Sequence, residues 1–147
     1  MEQNLITLTI GKQKNIALIA HNNKKELMVQ LCIAYCGIFS AHSLCSTNTT
    51  SRLITEATGM EVQKYMSRSQ GGIQQIAARI SYNEIDMVLF LADPKAPEYM
   101  EDMGLIARLC DQYSIPFASN VATAEMLIMG LQRGDLAWRD IVNPKKR

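Results

Sequence analysis

The feature that most constrains this chain is a repeated alternation. Short apolar runs bounded by polar turns are each followed by a segment whose apolar residues recur at helical spacing. That alternation predicts successive βα units feeding a parallel sheet. The first unit is the run Ile16–Ala20, then Leu27, Leu31, Ala34 and Tyr35 at helical spacing, with Gly37 as the expected stop. A second strand is expected over His42–Ser46. It leads into a hydroxyl-rich turn, Thr47–Thr50, and a helix over Ser51–Ala57 that ends before Gly59.

Further along, Glu61–Met66 reads as a short strand leading into the loop Ser67–Gly72, whose paired glycines permit tight turning. A helix is expected from Ile73 to Tyr82, with Ile73, Ile76, Ala77 and Ile80 as one apolar stripe. Asp86–Ala92 is a strand buried on both faces that stops at Asp93-Pro94, because proline cannot continue a central ladder. A helix over Met100–Tyr113 follows, then a last central strand, Ile115–Ser119. Asn120 should cap a helix over Val121–Leu131. The segment Asp135–Val142 and the basic end Lys145–Arg147 complete one layered α/β domain.

With 147 residues and a net charge of +1, no overall electrostatic field favours a nucleic-acid polymer. The longest apolar runs, Ile16–Ala20 and Met87–Ala92, are far short of the ~20 residues a membrane span needs. The N-terminus lacks a secretory pattern, so a cytoplasmic location is expected. The four cysteines contain no CxxC pair. Cys32 and Cys36, four apart on one expected helix, could meet a metal together with His42, but small buried thiols are the plainer reading and no metal site is expected. The nine methionines read as core filling. Trp138 reads as an anchor for the last segment or as a subunit contact.

In parallel sheets, ligands bind beyond the carboxyl ends of the strands. Those ends collect His21, Asn22 and Lys25, then Thr47, Asn48, Thr49 and Thr50, then Ser67–Gly72, Asp93 and Asn120. Hydroxyls and amides at a helix start, with one lysine nearby, suit a phosphate group. The competing reading is that Thr49 and Thr50 cap a helix and His21 satisfies a backbone group.

Ile16–His21 with Lys25, Ser46–Thr50, Glu56–Gly59, Gly71-Gly72 with Gln74-Gln75, Asp93-Pro94, and Ile115–Ala124 together resemble the methylglyoxal synthase family over about residues 14–143. The resemblance implies a single Rossmann-like three-layer domain with a central, mostly parallel sheet, assembled as a homohexamer. It also implies conversion of dihydroxyacetone phosphate to methylglyoxal and phosphate, without metal or organic cofactor. Lys25, Thr47, Thr49, Thr50 and Ser67 stand at the family's phosphate-contacting positions, His21 at its first-strand histidine, and Asp93 and Asp102 at acidic positions.

The departures lie where the chemistry should be. Ile73 stands where the family's Gly-Gly-Asp-Gln-Gln carries the catalytic aspartate. Ser67-Arg68-Ser69 replaces Ser-Gly-Pro, Asn48 replaces a glycine, Asn22 an aspartate, and Glu98-Tyr99 a Pro-His pair. An isoleucine accepts no proton, and losing a positioned base costs ~10² to 10⁴ in rate. The expectation is therefore a binder of a phosphorylated small molecule or nucleotide without turnover, acting as a sensor or a sponge. Its ligand would contact His21, Lys25, Thr47, Asn48, Thr49, Thr50, Ser67, Arg68 and Gly72, with Tyr99 as a stacking surface. The alternative is an active synthase using Asp93, Asp102 or His21.

Overall fold

The computed structural model describes residues 13–142. Strand β1 (Asn15–Ala20) is apolar on both sides, and its alternate residues enter different cores: Ile16, Leu18 and Ala20 one, Ala17 and Ile19 the other. That two-sided burial is possible only at the middle of a covered sheet. The strands β2 (Ser43–Ser46), β3 (Val62–Lys64), β4 (Met87–Leu91) and β5 (Phe117–Ala118) complete the order β3-β2-β1-β4-β5. All four pairings are parallel, so the sheet is wholly rather than mostly parallel.

Helices α1 (Lys25–Ala34), α2 (Cys36–Phe39), α3 (Asn48–Thr58) and α6 (Val121–Arg133) supply one outer layer. Met28, Phe39, Ile54 and Ile128 pack there against Ile16, Leu18 and Leu89. Helices α4 (Gly72–Ser81) and α5 (Tyr99–Gln112) form the other layer, where Ile76, Ile80 and Ile106 meet Ile19, Val88 and Phe90. The chain winds outward from β1 through β2 to β3, then returns to β4 on the other side of β1. This is the doubly wound order, and its reversal leaves a crevice at the carboxyl ends of β1 and β4.

Several boundaries differ from expectation for local reasons. Gly37 stops nothing: α1 breaks at Tyr35, whose backbone leaves the helical region, and Gly37 lies inside α2. Cys32 and Cys36 therefore belong to different helices. No group of three or more His, Cys, Asp or Glu is placed to hold a metal among the described residues. Helix α3 starts at Asn48, not Ser51. Its hydroxyl residues read as a turn, but Ser51 Oγ donates to the Val62 carbonyl at 2.8 Å and Ser51 is buried, so tertiary contacts draw the hydroxyl run into the helix. The last strand is an edge strand reduced to two residues, because Pro116 has no N–H to extend the ladder and β5 has only β4 as neighbour.

Asn120 caps α6 as expected, accepting from Thr123 N–H at 2.9 Å, a contact of about 1 kcal/mol. Met28, Met60 and Met87 fill the core, whereas Met66, Met100, Met126 and Met129 are exposed. The anchor of the last helix, α7 (Arg139–Val142), is Arg139 rather than the half-exposed Trp138. Buried Arg139 donates to the Ser114 carbonyl at 2.6 Å and lies 3.6 Å from Asp86, which ties the helix to the segments that lead into β4 and β5. Lys14 Nζ adds an ion pair to Asp140 at 2.6 Å. Residues 145–147 lie outside the described residues. No helix among the described residues is long and apolar enough to cross a membrane.

Candidate functional site

Beyond Ala20 the β1 ladder extends one residue, His21 N–H donating to the Leu91 carbonyl at 3.1 Å. The imidazole is then fixed on three sides. Its Nδ1 accepts from Asp93 N–H at 2.9 Å, its ring meets Phe90 edge-on at 5.3 Å, and its Nε2 lies 3.1 Å from Asp102 Oδ2. With Nδ1 an acceptor, the proton sits on Nε2 and is donated to Asp102. A short 3-10 turn, Asn22–Lys24, carries the chain into α1, where Lys25 Nζ donates to the Ala20 carbonyl at 2.8 Å. Burial pushes the Lys25 ammonium below its ordinary value, so an anion arriving beside it would favour its charged form.

The second wall is the start of α3. Thr47 is extended and forms the helix boundary without a side-chain cap, which leaves first-turn amides unclaimed by its hydroxyl. Thr50 Oγ1 is buried with no hydrogen-bond partner. The third wall is the loop before α4: Ser67 is extended, Arg68–Gln70 forms a 3-10 turn, and Gly71 takes φ +94°, a conformation that favours glycine. Gly72 packs under the loop so closely that an added Cβ would lie 1.9 Å from the Met66 carbonyl oxygen.

Asp102, only 2% exposed, is gripped by the loop as well as by His21. Arg68 Nε donates to its Oδ2 at 2.5 Å and Nη2 to its Oδ1 at 3.0 Å, the two-pronged geometry that suits guanidinium and carboxylate. The Asp102 carboxylate beside it holds Arg68 above the usual arginine value.

These walls enclose a cavity of about 240 Å³ lined by His21, Asn22, Lys25, Thr47, Thr49, Ser67, Arg68, Ser69 and Glu98. A larger hollow, about 340 Å³, lies at the opposite end of the sheet. Its Lys14 is paired with Asp140 and its His42 Nδ1 accepts from Lys14 N–H, so both are committed within the protein.

Six of the expected ligand contacts face the smaller cavity: His21, Lys25, Thr47, Thr49, Ser67 and Arg68. Four do not. Asn48 is exposed at the first position of α3, Thr50 is fully buried, and Gly72 lies beneath the loop. Tyr99 packs partly buried against the core under α4 and α5 and is not among the residues that line the cavity. Neither Thr49 nor Thr50 is the cap residue of α3, while His21 does satisfy a backbone group, Asp93 N–H. Asp93 itself is committed locally. It accepts from Asn23 Nδ2 at 2.7 Å and Lys95 N–H at 2.9 Å, and the latter holds its carboxyl below the usual range. Ile73 is 2% exposed inside the core and does not line the cavity. Three further residues line the cavity: Asn22 and Ser69, which stand at the collected strand ends but are not among the expected contacts, and Glu98, which enters the sequence reading only as a departure from the family.

Fold and cavity together define the class: a doubly wound α/β domain with a polar, cation-bearing cavity at its switch point. A family model described as the MGS-like domain matches residues 28–119, and the chain belongs to that family. Methylglyoxal synthase from Caldicellulosiruptor saccharolyticus is 58% identical over 132 residues, covering 89% of this chain and 94% of that protein. The methylglyoxal synthase of a Geobacillus species is 49% identical over 132 residues, with the same coverage. Among solved structures, methylglyoxal synthase from Elizabethkingia anophelis NUHP1 superposes with a TM-score of 0.72 at 36% identity, covering 80% of this chain and 78% of that one.

Proposed function

We propose that the chain is a carbon–oxygen lyase of the methylglyoxal synthase type, acting on dihydroxyacetone phosphate at the 240 Å³ cavity. The observation that carries this reading is a convergence on one cavity. Lys25, Thr47, Thr49 and Ser67 supply donors for a phosphate, and the buried Asp102 carboxylate is bonded to two of the lining residues, His21 and Arg68. The extent of identity to relatives named methylglyoxal synthase supports it.

In this mechanism Asp102 takes a proton from the hydroxymethyl carbon of the substrate. The electrons left on carbon form an enediolate, which expels phosphate as the carbon–oxygen bond breaks. The proton held by Asp102 passes to the departing phosphate, which restores the carboxylate, and the remaining enol tautomerises to methylglyoxal, so one triose phosphate yields one methylglyoxal and one inorganic phosphate. His21 Nε2–H orients the carboxylate, and Lys25 with the threonine hydroxyls holds the phosphate as it leaves. Replacing Asp102→Asn keeps the shape and removes the proton acceptor. Turnover is expected to fall by ~10² to 10⁴, read as methylglyoxal and phosphate released from dihydroxyacetone phosphate; an unchanged rate removes Asp102 from the mechanism.

A second reading is favoured by Ile73 and by the Arg68 grip on Asp102: a protein that binds a phosphorylated small molecule or nucleotide and returns it intact. The same assay separates the two, because a bound and unconverted triose phosphate supports the binder. Assembly as a homohexamer belongs to the proposal and rests on the family; exposed Leu27 and Ile33 on α1 and Met126 and Met129 on α6 provide apolar surface for a subunit contact.

A further inference from the structure

Arg68 is an unusual wall for a small anion site. Its side chain is 40% exposed and lines the cavity between Ser67 and Ser69, yet it is bound to Asp102, whose side chain is 3% exposed. A guanidinium has five N–H donors, and Asp102 takes two. Among the described residues Lys25 is the only other lysine or arginine lining the cavity, and its Nζ is bonded to the Ala20 carbonyl. A phosphate dianion entering beside Lys25 therefore meets one lysine ammonium that is free of a carboxylate and one guanidinium already occupied.

We propose that Arg68 is a shared cation: held by Asp102 in the free protein and yielded to the phosphate of an entering ligand, leaving the carboxylate bonded to His21. The inference rests on the reading of this cavity as a phosphate site, and it adds that Arg68 is a binding residue whose availability Asp102 controls. The transfer is physically reasonable in both directions. A dianion offers guanidinium more charge than a carboxylate does, and a two-pronged bond to phosphate is as well formed as one to carboxylate. His21 Nε2–H keeps a hydrogen bond on Asp102 when the arginine moves, so the carboxylate is not left bare. The groups facing Arg68 are Asp102 and, through charge, Glu98 and Glu101, all from α5 or its boundary; removal of Asp102's charge leaves the weaker, non-contacting pair.

The test is a double-mutant cycle on inorganic phosphate binding, measured by titration calorimetry on the full chain without any need for turnover. Arg68→Ala is expected to weaken phosphate binding at least tenfold. Asp102→Asn, which releases the arginine, is expected to tighten it at least threefold in the native background and to have less than half that effect, on a logarithmic scale, when Arg68 is alanine. Arg68→Lys keeps the charge without the fork and is expected to fall between native and Arg68→Ala. A purely structural ion pair would lower thermal stability in both single variants and leave phosphate affinity unmoved. Equal tightening by Asp102→Asn in both backgrounds would mean simple charge removal, and it overturns the sharing. A native chain that binds no phosphate overturns the proposed function itself, whereas native binding that survives Arg68→Ala overturns only the role of Arg68.

Discussion

Replacing Gly72→Ala is expected to cost at least about 2 kcal/mol of stability and, separately, to weaken phosphate binding about tenfold. The usual effect of Gly→Ala inside a helix is the opposite, a gain approaching 1 kcal/mol. Here the added Cβ meets backbone: Met66 O at 1.9 Å, Met66 C at 2.8 Å and Ser67 O at 3.0 Å. Backbone cannot swing aside as a side chain would, so overpacking of this kind costs about 1–3 kcal/mol and moves the segment that carries it. That segment is tied at both ends, by Met66 N–H to Gln75 Oε1 at 2.7 Å and by Gly72 N–H to the Ser67 carbonyl at 2.9 Å. It also carries Ser67, Arg68 and Ser69 to the cavity. Gly104→Ala is the control: the position lies within α5 with nothing within 4 Å of the added carbon, and it should be neutral or mildly stabilising. Urea unfolding and phosphate calorimetry read the two effects independently. A Gly72→Ala protein as stable as the native chain would mean that the loop tolerates displacement.

The parallel core was legible because β1 and β4 are apolar on every residue that faces either layer, a pattern a half-exposed strand would not show. The positions of His21, Lys25 and Thr47 were legible for a topological reason. Each follows a strand end, and a parallel sheet brings its strand ends to one edge. Side-chain direction within those segments was not legible. Consecutive helical residues point about 100° apart, so of three neighbours at the start of α3 only Thr49 faces the cavity, while Asn48 is exposed and Thr50 is buried. The grip of Arg68 on Asp102 left no local signature. The two residues are 34 apart in sequence, and each has an ordinary local reading, a polar loop residue and an acidic residue in the first turn of a helix. The same first-turn rule hides the pairing, since it already accounts for an aspartate at position 102.

Introducing the family's residue, Ile73→Asp, should make the chain less stable and more active at once. Ile73 is 2% exposed, packed with Ile76, Ile80 and Phe90 beneath the sheet. Burying an isoleucine is worth about 1.5–3 kcal/mol, and a carboxylate in its place adds a desolvation penalty. The start of α4 offsets part of this, because its first turn carries no side-chain cap and the helix dipole favours a negative charge there. A net loss of about 3 kcal/mol is expected near neutral pH. Burial raises the folded-state carboxyl above its unfolded value, so between the two values the folded state holds more protons and stability falls as pH rises. The deficit should therefore shrink when unfolding is measured under acidic conditions below the unfolded value. Turnover of dihydroxyacetone phosphate per folded molecule is expected to rise by ~10² or more, because a carboxylate free of the His21 and Arg68 bonds accepts a proton more readily than Asp102, which both residues hold. For the new carboxylate to reach substrate it must turn from the core toward the cavity, and the loss of apolar packing that destabilises the helix start is what favours that turn. Should stability fall while turnover stays flat, the isoleucine is a packing residue with no bearing on chemistry, and Asp102 alone carries whatever activity the site has.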